Sequence, residues 1–120
     1  MSRIPADASV FHAIADPTRR AILDLLREGE KTVSAMLDAV AKAFRITQSG
    51  FSQHLAVLRR AGLVLVEKRG RMRVYSLRAD PLNEVSQWIG AYDRFWTDRL
   101  DKLGTYLDRR HGRATKKEKP

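Results

Sequence analysis

Residues 47–62 read TQSGFSQHLAVLRRAG. The front half is small and polar; the back half is apolar and closes on two arginines and a glycine. Phe51, Leu55 and Leu58 fall at i, i+4 and i+7, a narrow stripe at helical period, and Gly62 is placed to end the helix they predict. At about 100° per residue, Ser49, Ser52, Gln53, Ala56 and Arg60 lie on the opposite half of the wheel. A helix that only packs tends to carry long charged residues on its outer face. Short hydrogen-bonding side chains there suit a surface that must come close to another molecule.

The segments on either side have their own signals. ADPTRRAILDLLREGE opens with Asp16, a capping acid, and Pro17 at the first helical position. Ala21, Ile22, Leu25 and Leu26 then recur at helical spacing until Gly29 stops the pattern. Val10, Phe11 and Ile14 predict a short amphipathic helix before it. TVSAMLDAVAKAF puts Val33, Met36, Leu37 and Val40 on one side, with Thr32 as its cap. After Gly62 the period changes to two: LVLVEKR and MRVYSLR flank Gly70-Arg71, the pattern of a β-hairpin. ADPLNEV repeats the Asp-Pro helix start at Asp80 and Pro81. From there to about Arg110 only Gly90 and Gly104 interrupt a helical pattern, so one long last helix is expected. The recurrence of ADP reads as helix capping used twice, not as an internal repeat.

With 120 residues, 43% of them hydrophobic and 31% charged, the chain has the size and balance of one globular domain with a modest core. That domain is expected over residues 8–110, between an N-terminal tail (1–7) and a basic disordered tail (111–120). No stretch approaches the roughly 18 apolar residues of a membrane span, and MSRIPADAS lacks a secretory apolar block. The expected compartment is the cytoplasm, with no membrane partner. The absence of cysteine excludes disulfides and thiolate metal sites. No nucleophile–base pair or carboxylate cluster suggests an enzyme, and no cofactor is implied.

The net charge of +9 is concentrated in two places. Between Arg59 and Arg78 seven basic residues face Glu67 alone, and between Arg109 and Pro120 six face Glu118 alone. Such clustering points to an anionic partner. The tail reads more simply as a solvated end. The middle segment surrounds the hairpin, where arginines at a tip can follow a nucleic-acid backbone or enter a narrow minor groove.

Helices, then a helix with a polar start, then a basic hairpin is the layout of a winged helix-turn-helix, mainly α with a β-hairpin wing. ADPTRRAILDLL, FSQHLAVLRRAGLV and RGRMRVYSL resemble, in order, the three sequence blocks of the ArsR/SmtB family of bacterial transcriptional regulators. The likeness covers residues 8–110. It implies that 47–62 is the recognition helix and that double-stranded DNA is the partner. Gln48, Ser49, Ser52 and Gln53 have the chemistry to read base edges, Gln pairing with adenine and Ser donating or accepting. Thr47 would stand near a phosphate at the helix start. His54 would position the helix or touch a phosphate, and is not expected to hold a metal. Arg60, with Lys68, Arg69, Arg71 and Arg73 of the wing, would supply further contacts. The bland reading of the wing is charge that protects a strand edge.

The long last helix carries Val85, Trp88, Ile89, Tyr92, Phe95, Trp96, Leu100, Leu103, Tyr106 and Leu107, a stripe too wide for one partner surface. So many aromatics in so short a span argue for an interface or a pocket. The resemblance implies a homodimer built from this helix and the first, with Val10, Phe11, Ile14, Trp88, Tyr92, Phe95, Trp96, Leu100, Leu103 and Leu107 at the interface. In a continuous helix Trp88, Tyr92, Phe95 and Leu103 form one seam and Ile89, Trp96, Leu100 and Leu107 its neighbour. One seam is expected to cover the winged core and the other to meet the second subunit. Many relatives sense metals through cysteines that this chain lacks. Others use the last helix, where Asp98, Asp101, Asp108 and His111 are the candidates; a lone terminal His makes a poor zinc or nickel site, so no metal is expected. The chain is also about four residues longer than the usual family spacing between Lys31 and Phe51. An unusual turn is expected there, and whether Thr47 is the cap stays open.

The expectation is therefore a homodimeric repressor on an inverted-repeat operator, with room for an effector of unknown chemistry. Two alternatives are an RNA- or ribosome-binding winged helix and a protein-interaction module using the aromatic helix. The basic segments contain only Tyr75 for stacking on single-stranded bases.

Overall fold

Small oxygen-bearing side chains begin the first helices of this chain, satisfying backbone N–H groups that a helix start leaves open. The computed structural model describes residues 9–111, with backbone only at 106 and 108–111. The expected tails therefore lie outside the described residues, apart from the backbone of His111. Ser9 Oγ accepts from the Phe11 N–H at 3.1 Å and opens α1 (Val10–Ile14). Asp16 Oδ2 accepts from Thr18 and Arg19 at 2.8 and 3.2 Å and opens α2 (Pro17–Arg27). Thr32 and Thr47 do the same for α3 (Val33–Phe44) and α4 (Gln48–Arg60), accepting from Ala35 and Gly50.

Thr47 is thus the cap, and the extra residues before it are taken up upstream. The third helix continues to Phe44, and Arg45 turns the chain with φ 50° and ψ 49°. The exit of α4 is equally defined. Gly62 N–H donates to Arg59 C=O at 2.9 Å and Leu63 N–H to Leu58 C=O at 3.0 Å, the paired bonds of a Schellman motif. Gly62 sits at φ 77°, where a Cβ is strained. Leu58 and Leu63, the two apolar residues such a motif brings together, are both fully buried.

That exit leads into β2 (Val64–Arg69), which pairs antiparallel with β3 (Met72–Leu77) from Val64↔Leu77 to Arg69↔Met72. Gly70, at φ 62°, and Arg71 make the two-residue turn. A short strand β1 (Lys31–Thr32) adds to the other edge of β3, giving the order β1-β3-β2. Two residues are too few to show a period, so the sequence reading treats them only as a helix approach.

Ile22, Met36, Phe51, Leu58 and Leu63 are the largest fully buried side chains, and Val10, Leu26, Val40, Leu55, Val64 and Tyr75 join them. The chain divides into two compact units, one ending at Val85 and the other starting at Ser86, where the sequence suggests a single domain over 8–110. Two expectations need correction. The last helix is not continuous: α5 (Leu82–Gly90) ends in a tight turn, with Ala91 N–H bonded to Trp88 C=O and Tyr92 N–H to Ile89 C=O, and α6 (Asp93–His111) follows. The second Asp-Pro is not a copy of the first either. The Asp80 carboxylate lies 3.8 Å from Arg78 Nη2, and α5 is entered through backbone turns from Ala79, Asp80 and Pro81.

Candidate nucleic-acid interface

The recognition-like helix α4 is held by Phe51, Leu55 and Leu58, all buried, as its stripe requires. Thr47, Gln48, Ser49, Ser52 and Gln53 are exposed, and so are Arg59 and Arg60. The polar start therefore stands clear of the core, on a helix that cannot rotate without exposing Phe51. Ser52, Ala56 and Arg59 line a concavity of about 370 Å³ together with Val33, Leu55, Tyr75 and the wing residue Arg73. Arg59, which the sequence reading counts in the basic run but not among the contacts, thus joins the helix to the wing.

The wing separates its basic residues by face. Side chains alternate along a strand, and cross-strand partners share a side. Arg73 lies on the same face as Tyr75, towards the concavity, and its partner Lys68 joins it there. Two cations directly opposite each other repel, and among the described residues neither has a carboxylate partner. An anion between them would relieve that repulsion. Arg69 belongs to the other face, with its neighbour Glu67. Its guanidinium donates to both oxygens of Glu30 at 2.6 and 3.1 Å and to Glu67 at 2.7 Å. These hydrogen bonds hold the Glu30 carboxyl below its usual range and push the Arg69 guanidinium further up. Of the four wing cations expected to meet DNA, all are exposed, but Arg69 is already engaged by two carboxylates, while among the described residues Lys68, Arg71 and Arg73 have none.

His54 points inward. Its Nδ1 lies 3.0 Å from Arg19 Nη1, and its Nε2 lies 3.9 Å from Asp16 Oδ2. Arg19, only 8% exposed, also donates from Nε to Ala13 C=O at 2.7 Å and from Nη2 to His12 C=O at 3.0 Å. Of the two roles expected for His54, this favours positioning over phosphate contact. Asp16 and Arg19 are functional candidates that the sequence reading missed. Arg19 stands three residues before Ile22 and seven before Leu26, in phase with the buried face of α2; a cation at a core position was the available signal.

Residues 14–67 match a family model described as a helix-turn-helix domain. Over 81 residues the chain is 37% identical to transcriptional repressor SdpR of Bacillus subtilis strain 168, covering 68% of this chain and 86% of that protein. The HTH-type transcriptional regulator Rv2034 of Mycobacterium tuberculosis is 33% identical over 108 residues, 90% of this chain and 94% of the relative. The crystal structure of an ArsR family transcriptional regulator, RHA00566, superposes with a TM-score of 0.63 at 33% identity, covering 81% of this chain and 97% of that one. The chain belongs to the ArsR family of transcriptional regulators. Its helix-turn-helix is a DNA-binding fold, and its relatives are regulators, not enzymes.

This ArsR-family chain carries a second surface, within the unit that starts at Ser86. Trp88, Ile89, Tyr92, Phe95, Trp96, Leu100, Leu103 and Leu107 are all exposed, Phe95 to 67%. Trp88 meets Tyr92 edge-on at 5.5 Å, and Tyr92 leans on Phe95 at 6.2 Å. Around them lies an open cavity of about 750 Å³, lined also by Ile89, Trp96, Arg99 and Leu100. Residues of both expected seams are exposed, and the turn after Gly90 interrupts the continuous register they assume. At the other end of the chain, Val10 is 4% exposed and belongs to the core, which leaves Phe11 and Ile14, both half-buried, with surface for an interface. Among the described residues no three His, Asp or Glu come together as a metal site, and no helix is long and apolar enough to cross a membrane. The side chains of Asp108 and His111 lie outside what the structure describes.

Proposed function

We propose that this ArsR-family regulator is a homodimeric repressor that reads an inverted-repeat operator. The observation that carries the reading is the basic face of the wing, where Arg73, with Lys68 as its cross-strand partner, lines one concavity with Ser52, Ala56 and Arg59 of α4. Wing and helix arginines would follow phosphates and supply most of the affinity, while Gln48, Ser49, Ser52 and Gln53 discriminate among bases. Thr47 at the start of α4 adds a phosphate position, and Arg60 and Arg71 extend the basic rim. The exposed aromatic face of α5 and α6 supports a two-fold dimer, to which Phe11 and Ile14 of α1 would also contribute. Two-fold symmetry would place half-sites roughly one helical turn apart. The repressive sense follows the Bacillus subtilis relative named as a repressor.

Selection of binding sites from randomised duplex DNA tests this directly. A palindromic consensus is the expected result. Recovery of no motif would overturn it in favour of RNA binding or protein interaction.

A further inference from the structure

The contact between Arg19 and His54 joins α2 to α4, and it carries a protonation requirement. A guanidinium only donates hydrogen bonds. With Arg19 Nη1 3.0 Å away, Nδ1 of His54 must be the lone-pair nitrogen, and the ring proton must sit on Nε2. Arg19 has no freedom to adapt, because its Nε and Nη2 are already bonded to the Ala13 and His12 carbonyls at the end of α1. The Ala13 carbonyl is among the acceptors that a helix end leaves open, and the His12 carbonyl, which also accepts from the Ala15 N–H, offers its second lone pair.

We propose that Arg19 and His54 are positioning residues for DNA recognition: the neutral imidazole latches α4 to α1 and α2, and a second ring proton releases it, so sequence-specific binding weakens in acid. The proposal rests on the reading of α4 as the recognition helix. A proton on Nδ1 would set N–H against N–H at 3.0 Å, between two cations. Asp16 is the opposing carboxylate, but at 3.9 Å it is beyond hydrogen-bond reach of Nε2, and its Oδ2 already accepts two backbone N–H groups. Among the described residues no other charged group pairs with the ring. On α4, Gly50, Phe51, Val57 and Leu58 lie one turn away; α1 takes part through carbonyls, His12 being exposed; β2 buries Val64. His54 follows Gln53 directly, so a displaced ring shifts the residues that face the bases.

The sign of the pH effect separates this from a phosphate contact. A histidine touching phosphate binds DNA more tightly when protonated, whereas the latch binds less. The full chain would be titrated with the selected duplex and with a random one between about pH 8 and pH 5.5, its helix content followed by circular dichroism. Affinity for the selected duplex is expected to fall about tenfold in acid, with the random duplex held or strengthened. His54→Asn supplies an Oδ1 acceptor that does not titrate, and should remove the pH step while retaining binding. Nitrogen-15 spectra of the wild-type ring at neutral pH should show the Nε2–H tautomer alone, a preference weakened in Arg19→Met, which has no donor. Tighter binding of both duplexes in acid, a step that persists in His54→Asn, the Nδ1–H tautomer, or a parallel loss on both duplexes with loss of helix would each overturn the latch. The ring tautomer is read without DNA. A selection that yields no consensus therefore fails the recognition reading while the latch is judged separately.

Discussion

Up to Val85 the chain buries its large apolar side chains, and from Ser86 onward it displays them. Ile22, Met36, Phe51, Leu58 and Leu63 are under 2% exposed, whereas Trp88, Phe95, Trp96 and Leu100 are all more than half exposed. Both sets are large and apolar; what differs is whether the segment contains its own partner. The first unit wraps short helices and a sheet around one core. In the second, the described residues of α6 are all exposed. An apolar surface of that kind marks an interaction site on a soluble protein. Folding and, in the proposed dimer, assembly thus fall to different stretches of one short chain.

The strongest test sets one phenylalanine against another. Phe51→Ala should cost about 3–5 kcal/mol, as expected for an aromatic removed from a packed core, a large share of a small domain's roughly 5–15 kcal/mol. Phe95→Ala should change the stability of the isolated subunit by no more than about 0.5 kcal/mol. Its effect should appear in assembly: wild type sediments as a dimer at micromolar concentration, and Phe95→Ala or Trp96→Ala shifts it towards a folded monomer with weakened operator binding. Denaturant unfolding beside sedimentation decides the matter. A concentration-independent loss at Phe95 equal to that at Phe51 would break the comparison. A monomeric wild type would remove the dimeric repressor altogether.

The legibility of the sequence followed the same division. Helix starts at Asp16 and Thr32 could be read because capping is local chemistry, and the stripe Phe51, Leu55, Leu58 because it repeats; Thr47 as a cap stayed open because of the added length before it. The hairpin was legible from its change of period. Tertiary pairings were not. That Arg69 engages Glu30, thirty-nine residues away, or that Arg19 reaches His54, depends on which elements come together, and no spacing encodes that. The break after Gly90 was hidden because apolar residues continue in helical rhythm on both sides of it, and a lone glycine is often tolerated in a helix.

A smaller effect sharpens the picture of what the first unit leaves unpaired. Its core is closed, yet its wing keeps a charged face open, and the two faces should differ. Arg73→Ala should lower affinity for every duplex and flatten the dependence of log K on log salt by about 0.9, the slope of one lost phosphate contact. Arg69→Ala should leave that slope nearly unchanged, because its charge is matched by Glu30 and Glu67. Equal slopes for the two variants would mean that the faces are not separated in the complex.

The smallest expected effect concerns Asp16, where the first unit begins its second helix. Partial burial pushes this carboxyl up, but the Arg19 N–H, the His54 ring once acid has given it a second proton, the Thr18 N–H and the Arg19 guanidinium together outweigh burial and hold it below its ordinary 3.8. A depressed folded value means the carboxylate stabilises the fold above the ordinary value, and that contribution is lost as pH falls through the folded one. Asp16→Asn keeps a good capping oxygen and removes only the charge. The variant should therefore be less stable than wild type at neutral pH by roughly 0.3–1 kcal/mol, and the gap should close in acid well below 3.8. Denaturant unfolding at both pH values measures it. A gap of the same size in acid would show that shape, not charge, is what the cap requires. Sedimentation of the same variant should match wild type at neutral pH, because the aromatic face begins beyond Val85 and owes nothing to this cap.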